Sequence, residues 1–179
     1  MSEEVKVSVA QLQSYWEWYK NLQNGQIIDR FVWTSKMPSW SEICGELSWR
    51  ACGLDHFRKK HHGFCGVYRL VALSQDRGWF PARIPRLGGE DETGTLYIGE
   101  AGWLHERLNQ FRRSCEREDS HGAGRMWRDC NLLRGRFPLN RLGVAILGTS
   151  VQMHKKIEED LIRAYLNTFG DTPPLNCSY

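Results

Sequence analysis

No apolar run in this chain approaches the ~18–20 residues that a membrane-spanning helix requires. The opening residues, Met1-Ser2-Glu3-Glu4, lack the basic-then-apolar order of a signal peptide. These two absences predict a cytoplasmic protein without a membrane partner. The six cysteines (44, 52, 65, 115, 130 and 177) contain no Cys-x-x-Cys pair, and a cytosolic setting argues against disulfides. Cys44, Cys52, His56, His61, His62 and Cys65 do cluster, so a zinc-stapled interaction protein can be drawn through them. Their spacings match no usual zinc-ligand pattern, which favours buried free thiols.

Lysine is missing from one long stretch. Residues 107–141 hold nine arginines, no lysine and four acids (Glu116, Glu118, Asp119 and Asp129). That window carries +5 in a chain of net charge +3, so the remainder is slightly acidic. A basic face with Phe111, Trp127 and Phe137 as neighbours suits a polyanion better than a merely solvated surface, which usually mixes lysine with arginine. Arg112, Arg113, Arg117, Arg125 and Arg128 are the candidate phosphate contacts.

The 179-residue length fits one domain with an extension. Residues 1–62 hold five of the eight tryptophans and are predicted to be helical. Ser8 can cap a helix whose apolar face is Leu12, Trp16, Tyr19 and Leu22, with Gly25 past its end. Pro38-Ser39 opens a second helical region, weakened by Gly45 and Gly53. The domain proper spans 63–179. Residues 66–73 and 95–99 read as strands bounded by turn residues, each carrying a tyrosine beside a glycine. Ser74 to Thr95 is a long connection with Gly78, Pro81, Pro85, Gly88 and Gly89, too irregular for a plain hairpin turn.

Helix signals run from Ala101 to about Ser114, with Leu104, Leu108, Phe111 and Cys115 on one face. At ~100° per residue Arg107 lies beside that stripe, leaning toward the sheet. His121-Gly-Ala-Gly-Arg125 reads as a loop, either approaching a phosphate closely or simply flexible. Leu142–Leu147 is a third strand, and Ser150 is the expected cap of a helix over 151–169. Ile157, Leu161, Ile162, Tyr165 and Phe169 form its apolar arc. Glu158 falls inside that arc, where a carboxylate is costly unless paired, with Arg107 for instance, or bound to a metal. The expected fold is α/β (α+β), a small three-stranded, mainly antiparallel sheet flanked by helices.

Gly66-Val67-Tyr68, Tyr97-Ile98-Gly99, Arg107 ten residues after Tyr97, Glu158 ahead of Leu161-Ile162, and Asn176 after a proline pair occur in this order. Together they resemble the GIY-YIG endonucleases over residues 63–179. The resemblance implies a metal-dependent DNA endonuclease with catalytic residues Tyr68, Tyr97, Arg107, Glu158 and Asn176. Tyr68 would be the base that takes the proton of water, and Tyr97 would position water or phosphate. Glu158 would hold Mg²⁺, with Mn²⁺ as the alternative, on the leaving-group side. Arg107 would grip the scissile phosphate. Restriction or related defence is the expected setting, acting on double-stranded DNA, and a homodimer is compatible with it. A repair or recombination nuclease and a non-catalytic nucleic-acid-binding module are the alternatives.

Three features depart from the family. The 28 residues between Tyr68 and Tyr97 exceed the usual short turn, and residues 1–62 match nothing in it. Phe111 stands where members often carry His or Tyr. Phe111 has no polar atom, so it is expected in the core. His121 is then the preferred group for the missing polar role, ahead of His105 or a water.

Overall fold

The computed structural model describes residues 40, 44, 50–53, 65–74, 76, 80–117 and 120–176. The predicted helix near 8–25 and the His56, His61 and His62 part of the cysteine–histidine cluster lie outside these residues. Trp40 and Cys44 are helical.

The three expected strands form an antiparallel sheet, and a fourth joins them at its edge. The four are β1 (Arg50–Gly53), β2 (Gly66–Ala72), β5 (Thr95–Ala101) and β6 (Leu142–Gly148), in the order β1-β6-β2-β5 and antiparallel throughout. The helical expectation for residues 1–62 therefore fails at Arg50–Gly53. The short Arg-Ala-Cys-Gly run has no strand periodicity of its own, and its pairing partner, Gly143 to Ile146, is remote in sequence. Non-local hydrogen bonding overrides the local preference. β2 lies between β6 and β5, and all seven of its residues are buried.

Side chains alternate across β2. Tyr68, Leu70 and Ala72 join Leu104, Leu108, Phe111, Ala123 and Trp127 in one apolar cluster. These come from α1 (Leu104–Glu116) and α2 (Gly122–Asp129). Val67 joins Ile98, Leu147, Trp40 and the apolar arc of α4 (His154–Phe169) in the other. A short α3 (Asn131–Arg136) and a 3₁₀ turn at Leu139–Arg141 lead into β6. The pattern of buried residues in α1 and α4 agrees with the periodicity of the sequence.

Several boundaries differ for physical reasons. Ala101 extends β5 by pairing with Gly66, so α1 begins three residues late, at Leu104. His121-Gly-Ala-Gly-Arg125 is not a loop, because Gly122–Asp129 is helical. A Cβ on Gly124 would lie 2.6 Å from both the Phe111 carbonyl oxygen and Ser114 Cβ, so this glycine serves close packing of α2 on α1. Ser150 is not the cap of the last helix. Its carbonyl accepts the Met153 N–H (3.1 Å) in a turn, and the helix starts at His154.

The long connection contains an antiparallel hairpin of its own, β3 (Ile84–Arg86) with β4 (Gly89–Asp91). It is fastened by the fully buried Asp91. That carboxylate accepts the N–H groups of Thr93 (2.8 Å) and Thr95 (2.9 Å), the Thr93 hydroxyl (2.6 Å) and the Tyr165 hydroxyl (3.1 Å). Buried Arg69 donates to Thr95 (2.8 Å) and Thr93 (3.3 Å) and lies over the Trp40 ring. A buried polar cluster with this many internal bonds favours one arrangement of hairpin, sheet and α4.

Candidate functional site

Tyr68 and Tyr97 stand on the same face of neighbouring strands, since Leu70 pairs with Tyr97 and Tyr68 with Gly99. Their ring centroids are 5.8 Å apart. Gly99 makes this approach possible. A Cβ there would collide with the Tyr97 ring and sit 3.0 Å from the Tyr68 hydroxyl oxygen. Gly66 is needed for a different reason, because a Cβ would strike the Leu147 carbonyl of β6. Both motif glycines are thus consequences of close packing.

His121 reaches this pair from the start of α2. Its Nε2 is 3.0 Å from the Tyr68 hydroxyl, and both residues are fully buried. The imidazole meets the ring edges of Tyr97 (5.6 Å) and Phe111 (5.3 Å), and its backbone N–H donates to the Ser114 hydroxyl (3.0 Å). Phe111 packs in the core, as expected, and forms a wall that orients the histidine. His105 lies beside Asn109 instead.

The guanidinium of half-buried Arg107 lies against both phenols. Burial pushes Tyr68 well above the usual phenol range, Tyr97 adds to this, and Arg107 opposes it. Tyr97 is raised for the same reason, with Glu158 contributing. Burial alone would lower the Arg107 pKa, but the two phenols raise it, so the arginine stays charged. Tyr97 is partly exposed while Tyr68 is closed off, which makes Tyr97 the phenol that solvent meets first.

Glu158 comes from α4, on the opposite face of the sheet. The two halves of the site meet around β5, which ends the described sheet order. Burial raises the Glu158 carboxyl to about 7; the nearby Glu100 carboxylate adds to that, while the Glu100 backbone N–H and Arg107 oppose it. Glu100 also ties Glu158 to a further chain of contacts. Its carboxylate pairs with His154 Nε2 (3.0 Å), whose Nδ1 lies 3.3 Å from the Cys65 thiol. Glu100 and His154 are absent from the sequence-based candidates, and Cys65 enters them only through the cysteine–histidine cluster. Only strand register and helix placement bring them together.

Asn176 is buried and bonded at both ends of its side-chain amide. Its Oδ1 accepts the Ile98 N–H (2.9 Å) and its Nδ2 donates to the Ile98 carbonyl (2.7 Å). With the Leu175 N–H on the Leu96 carbonyl (2.8 Å), the tail imitates an extra strand along β5. Its contribution is to position the strand that carries Tyr97 and Gly99.

The arginines fall into two groups. Arg117 and Arg125 are exposed. Arg112 pairs with Glu116 (3.1 Å), and Arg113 is half-buried in the last turn of α1. Arg128 donates to the carbonyls of Arg117 (2.7 Å) and Ser114 (3.3 Å), closing the C-terminal end of α1 while pairing with Asp129.

Among the described residues, no group of three or more His, Cys, Asp or Glu side chains is placed to hold a metal ion. Cys44, Cys65, Cys115 and Cys130 are free thiols. Mg²⁺ commonly uses one or two carboxylates and fills its remaining positions with water and phosphate. Glu158, whose carboxyl is held up near neutrality beside a second carboxylate, fits that kind of site, because a cation would relieve the repulsion. No protein-family model, curated protein or solved structure matches the chain significantly.

Proposed function

We propose that the protein is a metal-dependent DNA endonuclease of the GIY-YIG type that hydrolyses phosphodiester bonds. The observation that supports this most is the convergence of one charged arginine on two phenols, of which the fully buried one is bonded to a buried histidine. Such a group can grip an anion and move a proton in one place.

Arg107 would hold the scissile phosphate and offset the charge that it gains on attack. Ionising a phenol at pH 7 costs about 4 kcal/mol even in water, and burial makes it harder here. A relay avoids that state. Water would give its proton to Tyr97 as Tyr97 hands its own to Tyr68, whose ring is 5.8 Å away, and Tyr68 would pass its proton to His121 Nε2, 3.0 Å from its hydroxyl. Tyr68 thus acts inside the relay instead of touching the water directly. The water oxygen bonds to phosphorus as the P–O bond to the leaving strand breaks. Glu158 would hold a Mg²⁺ ion, which when bound supplies positive charge to the leaving oxygen.

The test is incubation of purified protein with single- and double-stranded DNA, in Mg²⁺ or in EDTA. Mg²⁺-dependent fragments are expected. DNA binding without cleavage under any of these conditions would favour the non-catalytic binding module.

A further inference from the structure

Trp103 occupies the N-cap of α1, a position that favours Ser, Thr, Asp or Asn because their side chains can accept a free helix N–H. Trp103 makes no such bond, and the residue is 62% exposed. The other described helices also start without a side-chain cap, so the unusual feature here is the large aromatic surface that faces water. Local misfits of this kind concentrate where a surface has a use. The Trp103 carbonyl accepts the Arg107 N–H (3.1 Å), so the indole is rooted one helical turn before the arginine that contacts both phenols. Gly102, beside it, is exposed, and a Cβ there would meet nothing within 4 Å. The other large exposed apolar side chains among the described residues, Phe80, Leu87, Leu132, Val151 and Leu166, lie on other elements. The helix that follows Trp103 opens the arginine-rich window with Arg107, Arg112 and Arg113.

We propose that Trp103 is a stacking platform for the nucleobase next to the phosphate gripped by Arg107. This rests on the nuclease reading and extends it to the substrate. A base can lie on an indole face only after leaving the stack of its own strand. The preferred substrate therefore carries an unpaired or easily unstacked nucleotide beside the cut, and Trp103 selects for it.

The test uses DNA with 2-aminopurine at each position flanking the mapped cut, bound in Ca²⁺ to the full chain. Wild type is compared with Trp103→Asn and Trp103→Phe. Asparagine is a good N-cap, so Trp103→Asn should melt no lower than wild type. It should bind the DNA about tenfold more weakly, within the range for loss of one base–aromatic stack. Its complex should also show stronger 2-aminopurine emission than those of wild type and Trp103→Phe, in which the base is quenched by stacking. Equal affinity and emission in all three proteins would overturn the stacking role while leaving the nuclease reading intact. A loss of affinity that follows a lowered melting temperature would overturn it too, as a structural effect. Failure of the wild type to bind DNA at all would remove both proposals.

Discussion

His121 touches both Tyr68 and Phe111, yet each of the three answers to a different measurement. Tyr68→Phe removes one hydroxyl from the relay and should lower turnover by at least ~10²-fold, the scale for losing an acid–base group. His121→Ala should slow cleavage by a similar factor, because the Tyr68 proton loses its acceptor at 3.0 Å. Phe111→Leu keeps an apolar side chain in the core and should cost about 1 kcal/mol of stability with cleavage retained. Single-turnover rates and melting temperatures of the three variants check this. A stable but inactive Phe111→Leu protein beside an indifferent His121→Ala protein would show that the ring itself shapes the site. At Glu158 the sign follows from linkage. The folded carboxyl titrates near 7, above its ordinary value, so the folded state holds the proton more tightly than the unfolded state does. In the absence of metal, stability should fall as pH rises from about 4.5 to 7 and stay reduced above that range. Glu158→Gln should therefore raise the melting temperature at pH 8 in EDTA, have little effect at pH 4, and abolish any rise produced by Mg²⁺.

At the scale of elements, the position of His121 depends on how closely α2 approaches α1. Gly124 sets that distance, since its missing Cβ leaves room for the Phe111 carbonyl and Ser114. Ser114 also holds the His121 backbone N–H. Gly124→Ala should push α2 outward and lengthen the contact between His121 and Tyr68. We expect at least a tenfold loss of cleavage while the far-ultraviolet circular dichroism spectrum is preserved, because alanine favours the helix itself. Full activity in Gly124→Ala would mean that the two helices can separate without cost to the site. The same contact explains why the Gly-x-Gly segment is a poor local signal. Glycines beside a histidine suggest a loop, but here one of them is selected by a neighbouring helix.

Across the whole molecule, the +5 window is carried by α1, α2, α3 and their connections. Not every arginine in it is available to a polyanion, because Arg128 closes α1 and Arg112 is paired. Arg117 and Arg125 are the exposed candidates. Replacing both with Gln should weaken DNA binding and reduce the slope of log K against log salt by up to about two, roughly one for each lost phosphate contact. An unchanged slope would mean that these side chains face away from DNA. The sequence by itself determined the strands around Tyr68 and Tyr97, the buried stripes of α1 and α4 and the core placement of Phe111, because period and turn chemistry act over a few residues. Only the tertiary structure decided the fourth strand, the helix after His121, the Glu100–His154–Cys65 contacts and the use of Asn176 along β5. Each of these depends on a partner distant in sequence, whose hydrogen bonds or close packing outweigh what the local residues prefer.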